Sequence, residues 1–237
     1  MTGEHALDKT AIRNASTVIT LRDWHDKPSV LMGQRGAKAA FMPNKFVFPG
    51  GAMDDTDRHI PLAKPITEPH RARLVEDARE DLTDGLVAAA IRELWEETGL
   101  ILGQKGTWAS APHEDWRGFA DAGFVPSGEA LQFVFRAITP PGRPRRFDAR
   151  FFLVNADAIQ NDLDDFSQAC DELSHLQWIP LTDAQSFDLP FITEVVLAEV
   201  AANARHDAPP ASVPFFRNDD EESLFLRLRG YGPSESD

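Results

Sequence analysis

The chain has 237 residues, 42% hydrophobic and 26% charged, which allows one large domain or two small ones around an ample core. Its 38 acidic and 24 basic residues leave a net charge of −14, which disfavours a nucleic-acid partner, since gripping that backbone takes a basic face. A single cysteine, Cys170, excludes an intrachain disulfide and suits a reducing compartment.

The opening MTGEHALDKTAIRN has no apolar stretch of signal-peptide length, and no run approaches the roughly 20 apolar residues a bilayer crossing needs. The terminal SESD matches no address or lipidation signal. A cytoplasmic chain without a membrane partner is therefore expected. ASTVITLRD (15–23) and PSVLMGQRG (28–36) are β-branched or apolar runs divided by WHDKP, the pattern of two paired strands, and KFVFPGG follows as a third. Residues 52–83 are polar and carry the helical candidate TEPHRARLVEDARED, which suggests a helical insertion on the surface.

From Asp84 a helix is expected to run to Thr98 and to stop at Gly99, the usual left-handed terminator. Two short helices are expected near HEDWRGFADAG and SGEALQFVFRAI, and strands at RRFDARFFLVNA and HLQWIPL. PFITEVVLAEVAANA has helical spacing with Pro190 near its start. The tail after Asp207 is Pro-rich, then acidic, then strand-like at SLFLRLRG. The organisation expected is one α+β domain over residues 11–206, with the insertion at about 52–83 and a C-terminal extension at 207–237.

The chemistry concentrates in DGLVAAAIRELWEETG. At about 100° per residue, Val87, Ile91, Leu94, Trp95 and Thr98 share one arc, and Glu93, Glu96 and Glu97 share the opposite one. Three carboxylates on one face repel, each adjacent pair costing roughly 0.2–0.5 kcal/mol when solvated. They also occupy the last two turns, where the helix dipole disfavours negative charge. E-x-x-E-E alone is most simply a solvated acidic face. The longer string R-E-x-x-E-E-x-G arises by chance on the order of once per million positions at average residue usage, and here it follows a strand ending in Pro-Gly-Gly. A hard divalent cation, Mg²⁺ or Mn²⁺, takes such oxygen ligands and keeps waters for substrate phosphates. Such a cation reverses the local sign, so a phosphorylated small molecule is compatible with the overall charge.

FPGG followed by RELWEETGL resembles the signature of the Nudix hydrolases, G-x5-E-x7-R-E-U-x-E-E-x-G-U with U aliphatic. Gly51 matches the first glycine, and Arg92, Glu93, Leu94, Glu96, Glu97, Gly99 and Leu100 match the rest. The acid eight residues before the arginine is Asp84, a shorter residue expected to cap the helix, with support of the metal-binding acids from behind as the alternative. It lies 33 positions after Gly51 where the signature has six, so about 27 residues are interposed, a lengthening that is entropically cheap. The interposed residues are expected to pack outside the site.

The resemblance implies a Nudix fold, a mixed β-sheet sandwiched between helices. It also implies divalent-metal-dependent hydrolysis of a diphosphate in a nucleoside diphosphate derivative. Glu93, Glu96 and Glu97 would bind the metal, Arg92 would orient a glutamate, and Gly50 and Gly51 would let the loop pass close to the helix. Glu172, ahead of HLQWIPL, is the candidate for a further ligand or base, with an exposed loop acid as the equal alternative.

Upstream, LMGQRGAKAAFMPNKFVFPGG is similar to the coenzyme A diphosphatase branch over Arg35 to Phe48, with Ala40 and Asn44 in place of that pattern's second arginine and glycine. The interrupted motif adds to that likeness. Arg35, Phe48 and Arg146 are then candidate substrate-binding residues, with solvated surface charge the equal alternative for Arg146. Coenzyme A or an acyl-coenzyme A is the first substrate expected. ADP-ribose, a nucleotide sugar or a dinucleotide is the rival, and a nucleotide-sensing domain without catalysis is the rival of a different class. The partners expected are a small diphosphate substrate and, compatibly, a second copy in a homodimer.

Overall fold

Runs that alternate between two apolar faces build the centre of the molecule, as strand geometry requires when both faces of a sheet are covered. The computed structural model describes residues 11–37, 39, 42–203, 209–218 and 222–230. The MTGEHALDKT segment and the SESD terminus, weighed above as targeting signals, lie outside the described residues.

The first four strands are β1 (Ile12–Arg22), β2 (Ser29–Arg35), β3 (Phe46–Val47) and β4 (Gly50–Ala52), followed by helices α1 (His70–Val75) and α2 (Thr83–Thr98). Strand β5 (Gly103–Lys105), helix α3 (Arg117–Asp121) and strand β6 (Phe124–Pro126) form a small unit beside them. Then come β7 (Gln132–Ile138), β8 (Arg146–Asn155), β9 (Leu173–Pro180), α4 (Phe191–Asn203), β10 (Val213–Asn218) and β11 (Ser223–Leu228). The main sheet runs β11-β10-β7-β8-β1-β2-β3, with β4 on β1 and β9 on β2. The β1–β8 and β7–β10 pairs are parallel and the others antiparallel, so the sheet is mixed.

Val18, Phe133 and Phe152 face α2, whereas Ile19, Val134 and Phe151 face α4, so each strand feeds two cores. This is the α+β sandwich expected. β1 divides its edge: Leu21 and Arg22 pair with β2, while Ala15, Ser16 and Thr17 pair with Ala52, Gly51 and Gly50 of β4. That split carries the two glycines beneath α2. The Ser16 hydroxyl donates to the Leu86 carbonyl at 2.7 Å and ties the helix to the same strand.

α2 ends as expected, with Gly99 at φ 74° and its N–H donating to the Trp95 carbonyl at 2.7 Å. Its start differs. Asp84 is already the second helical residue, too late to cap; it pairs with Arg71 at 2.8 Å, while Asp81 accepts the Thr83 N–H at 3.0 Å. SGEALQFVFRAI forms β7 rather than a helix, because pairing with β8 places Phe133 and Phe135 opposite Phe152 and Phe151. Residues 213–218, read as part of a Pro-rich tail, are strand β10. Among the described residues no helix is long and apolar enough to cross a membrane.

The surface placement expected for residues 52–83 holds only in part. Ile66, His70, Arg73 and Leu74 are buried there. Burial, with Arg73 beside it, pulls the His70 pKa down to about 4, while a hydrogen bond with the Phe133 backbone opposes the shift. Below about pH 6.5 the unfolded chain accepts a proton that folded His70 refuses. Stability therefore falls as pH drops from about 6.5 to 4, by about 3 kcal/mol in total from this group. Urea midpoints at pH 7 and pH 5 should diverge in the wild type and diverge measurably less in His70→Gln.

Candidate active site

The helix α2 carries its acids inward. Glu93 and Glu97 are buried and Glu96 half-buried, so the face that solvation would have explained is covered by the protein. The Gly50–Gly51 pair makes that approach geometrically feasible. A Cβ on Gly51 would lie 2.5 Å from Glu93 Oε1, and one on Gly50 would lie 2.5 Å from the Ser16 carbonyl oxygen. With both positions bare, the Gly50 N–H donates to Glu97 Oε2 at 2.7 Å. The Gly-Gly ending of the strand thus answers to the bulk of the Glu93 carboxylate and of the neighbouring β1 backbone.

Arg92 is the hub. Its Nε and Nη2 donate to the two oxygens of Asp57, each at 3.0 Å. Nη1 donates to Glu93 Oε1 at 2.9 Å and Glu96 Oε2 at 3.0 Å, and Nη2 also donates to the Ala52 carbonyl at 3.0 Å. Burial alone would lower its pKa, but the bonds to Asp57 and the charge of Glu93 leave it raised and the guanidinium charged. Every nitrogen of the group is engaged within the protein.

Asp57 is the member that sequence reading missed. Its side chain is fully buried, and Oδ2 accepts the Asp54 N–H at 2.8 Å, closing a 3-10 turn over Asp55–His59. The interposed segment therefore enters the site at its first turn, contrary to the expectation that it packs outside. The acidic DDTD string, separated from the glycines only by Ala52 and Met53, was the available signal.

Burial pushes the Glu93 pKa up to about 7, with Arg92 opposing. Burial also raises Glu96, and it raises Glu97 well above the carboxylate range, with the neighbouring Glu93 charge adding to the shift. Glu97 Oε1 is buried without a hydrogen-bond partner. An orphaned carboxylate oxygen beside a second buried carboxylate is costly unless a positive charge joins it.

The donor chemistry fits a hard divalent cation, which takes carboxylate oxygens. Among the described residues, no three carboxylate, imidazole or thiol groups already converge into a metal cage. Arg92 draws one oxygen each of Glu93 and Glu96 toward itself, leaving Glu97 as the acid among the three with a fully buried, unpartnered oxygen.

Of the other candidates, Arg35 and Glu172 come together: Arg35 Nη2 donates to Glu172 Oε1 where the start of β9 pairs with the end of β2. The loop before β9 lies along the last turn of α2, with the Cys170 N–H donating to the Glu96 carbonyl at 2.7 Å. Two candidates stand apart. Phe48 is buried in the core on the α4 side of the sheet. Arg146 is buried opposite Ile12, four positions along β1 from the Ser16–Gly51 pair, roughly 13 Å away at strand rise. It donates to the carbonyls of Thr139 and Asn218, each at 3.0 Å.

Residues 12–200 match the NUDIX domain family. A curated relative, "Putative nudix hydrolase 7" of Caenorhabditis elegans, is 32% identical over 162 residues, covering 63% of this chain and 46% of the relative. The chain thus spans less than half of that relative's length. The crystal structure of a NUDIX hydrolase from Alicyclobacillus acidocaldarius superposes with a TM-score of 0.59 at 28% identity, over 82% of this chain and 93% of that one.

Proposed function

The chain belongs to the Nudix hydrolase family, and from that premise we propose that it hydrolyses the diphosphate linkage of a nucleoside diphosphate derivative with the help of Mg²⁺ or Mn²⁺. The observation that carries this reading is the buried group of Glu93, Glu96 and Glu97 with the unpartnered Glu97 oxygen. When bound, the cation supplies charge neutralisation at the phosphate oxygens and lowers the pKa of bound water.

The chain's own residues do the rest in this reading. Glu93, Glu96 and Glu97 hold the cation, and the Gly50 N–H fixes one oxygen of Glu97 so that the other points into the site. Arg92, with no donor to spare, sets the positions of Glu93 and Glu96 and does not reach substrate. Arg35 offers its guanidinium to a phosphate, and Glu172 supplies a further carboxylate at the mouth.

Coenzyme A or an acyl-coenzyme A is the substrate proposed, from the Arg35-to-Phe48 spacing and the long separation of Gly51 from α2. Residues 52–83 are proposed as an insertion within the Nudix box that has been built into the site through Asp57. A single domain is proposed, in which β10 and β11 of the C-terminal extension complete the sheet.

The test is a substrate panel with Mg²⁺ and Mn²⁺. Release of 3′,5′-ADP from coenzyme A supports the substrate; turnover of ADP-ribose, nucleotide sugars or dinucleotides alone moves the assignment there. No turnover of any diphosphate with either ion removes the hydrolase reading.

A further inference from the structure

Two arginines approach the buried acids, and they differ in what they have left to give. Arg92 spends all its nitrogens on Asp57, Glu93, Glu96 and Ala52. Arg35 donates through Nη2 to Glu172, and its Nε is buried with no partner. A guanidinium carries five N–H donors in a fixed fork suited to phosphate. Its side chain is only 18% exposed, so the missing bonds are not fully made up by bulk water. Glu172, at 54% exposed, is the more solvated partner and the easier one to displace.

Position makes that displacement consequential. Arg35 is the last residue of β2 and pairs in register with Leu173, the first residue of β9, so Glu172 leads directly into the strand. The register shifts between Met32 and Gln34, where His175 of β9 takes a left-handed φ of 53° opposite Gly33. A Cβ on Gly33 would lie 2.9 Å from the Leu173 Cβ, so the bare position lets β9 close down at this end. The charge of Glu172 reaches both Glu93 and Glu97, and the charge of Arg35 reaches Glu97. With the Cys170 N–H, two residues before Glu172, donating to the Glu96 carbonyl at 2.7 Å, the pair stands beside the last turn of α2 that carries the acids.

We infer that the Arg35–Glu172 ion pair is an exchange latch, in which a diphosphate entering the site takes the Arg35 fork and releases Glu172 to turn toward Glu93 and Glu97. Substrate recognition and the arrival of a further carboxylate are then one event. Arg35 binds the anion and, by letting go, acts as a positioning residue for Glu172. Without an anion on Arg35 the carboxylate is held back, which suppresses idle rearrangement of the acids. The inference rests on the diphosphate reading of the site and adds to it the order in which two residues act.

The test uses the full chain and inorganic pyrophosphate in Mg²⁺, with binding read by calorimetry. Glu172→Gln removes the internal competitor and should tighten pyrophosphate about tenfold, the scale of one charge-assisted hydrogen bond. Arg35→Gln should weaken binding by a similar factor, and in that background Glu172→Gln should change nothing further. Asp171→Asn controls for the loss of one negative charge near the site and should tighten binding less than twofold. With a turned-over diphosphate, Glu172→Gln should lower kcat while lowering KM, and Arg35→Lys should recover part of the affinity lost in Arg35→Gln.

Equal or weaker pyrophosphate binding in Glu172→Gln, additive effects in the double variant, or no binding to any variant overturns the latch. The coupling appearing in a chain that cleaves no diphosphate would leave the latch standing and remove the hydrolase reading. Turnover without the coupling does the reverse.

Discussion

Glu97→Gln should abolish turnover by about a thousandfold or more while leaving the fold intact and, in the absence of divalent ions, at least as stable. The loss follows if, as proposed, Glu97 is an anionic ligand of a cation that stabilises transition-state charge, where about 4 kcal/mol corresponds to three orders of magnitude. The retained stability follows from geometry. Glutamine keeps an oxygen to accept the Gly50 N–H, so the 2.7 Å contact survives. What disappears is the buried negative charge: the unpartnered oxygen gives way to a neutral amide nitrogen, which can donate where that oxygen could only accept.

The pH dependence has a definite sign. Burial raises the folded pKa of Glu97 well above its ordinary value. A carboxyl shifted upward lends stability while protonated, and that stability is lost as pH rises through the folded pKa. The variant lacks this liability, so its advantage over the wild type should grow on going from acid to neutral pH. Adding Mg²⁺ should raise the melting temperature of the wild type, as any ligand specific to the folded state does, and should raise that of Glu97→Gln much less. Unchanged turnover, or an equal Mg²⁺ response in both proteins, would remove Glu97 from the metal-binding role.

How much of this was visible beforehand depends on how far apart in the chain the interacting residues lie. The α2 helix was legible because its period and its Gly99 stop are local, and the helix ends where that residue adopts φ 74°. β7 was misread because Leu131, Val134, Phe135 and Ile138 also satisfy helical spacing, and only pairing with β8 decides between the periods. β10 was hidden by Pro214, which reads as a loop residue. The strand tolerates it because the parallel pairing with β7 involves only Phe215 and Phe216, leaving the proline outside that ladder.

The site divides in the same way. Gly50, Gly51 and the acids of α2 could be named from their residue types. The bond that organises them, from Arg92 to Asp57, joins residues 35 positions apart across a segment of changeable length. A polar composition said that residues 52–83 were accessible; it could not say that one of three neighbouring acids, Asp54, Asp55 and Asp57, turns inward. Phe48 shows the converse limit. Strand alternation puts it on the same face as Phe46, and both pack into the core on the α4 side, but which face looks toward α2 is decided by tertiary packing.

Asp57→Ala should therefore destabilise the protein by about 3–5 kcal/mol, the range for breaking a buried ion pair and leaving the other charge behind. Against a total of about 5–15 kcal/mol for a domain, that is a large fraction. Arg92 would retain Glu93, Glu96 and the Ala52 carbonyl but lose both bonds that fix its plane. The Asp54 N–H would also lose its acceptor, loosening the 3-10 turn. Since the same guanidinium positions two of the acids proposed to hold the cation, the Mg²⁺ concentration for half-maximal activity should rise along with the loss of stability. Asp55→Ala is the matched control: it removes the same charge from the same turn at an exposed position, and should stay within about 0.5 kcal/mol of wild type. Urea midpoints with unchanged m-values measure both effects. If the two variants shifted the midpoint alike, the buried bond to Arg92 would not be what anchors this segment to the helix.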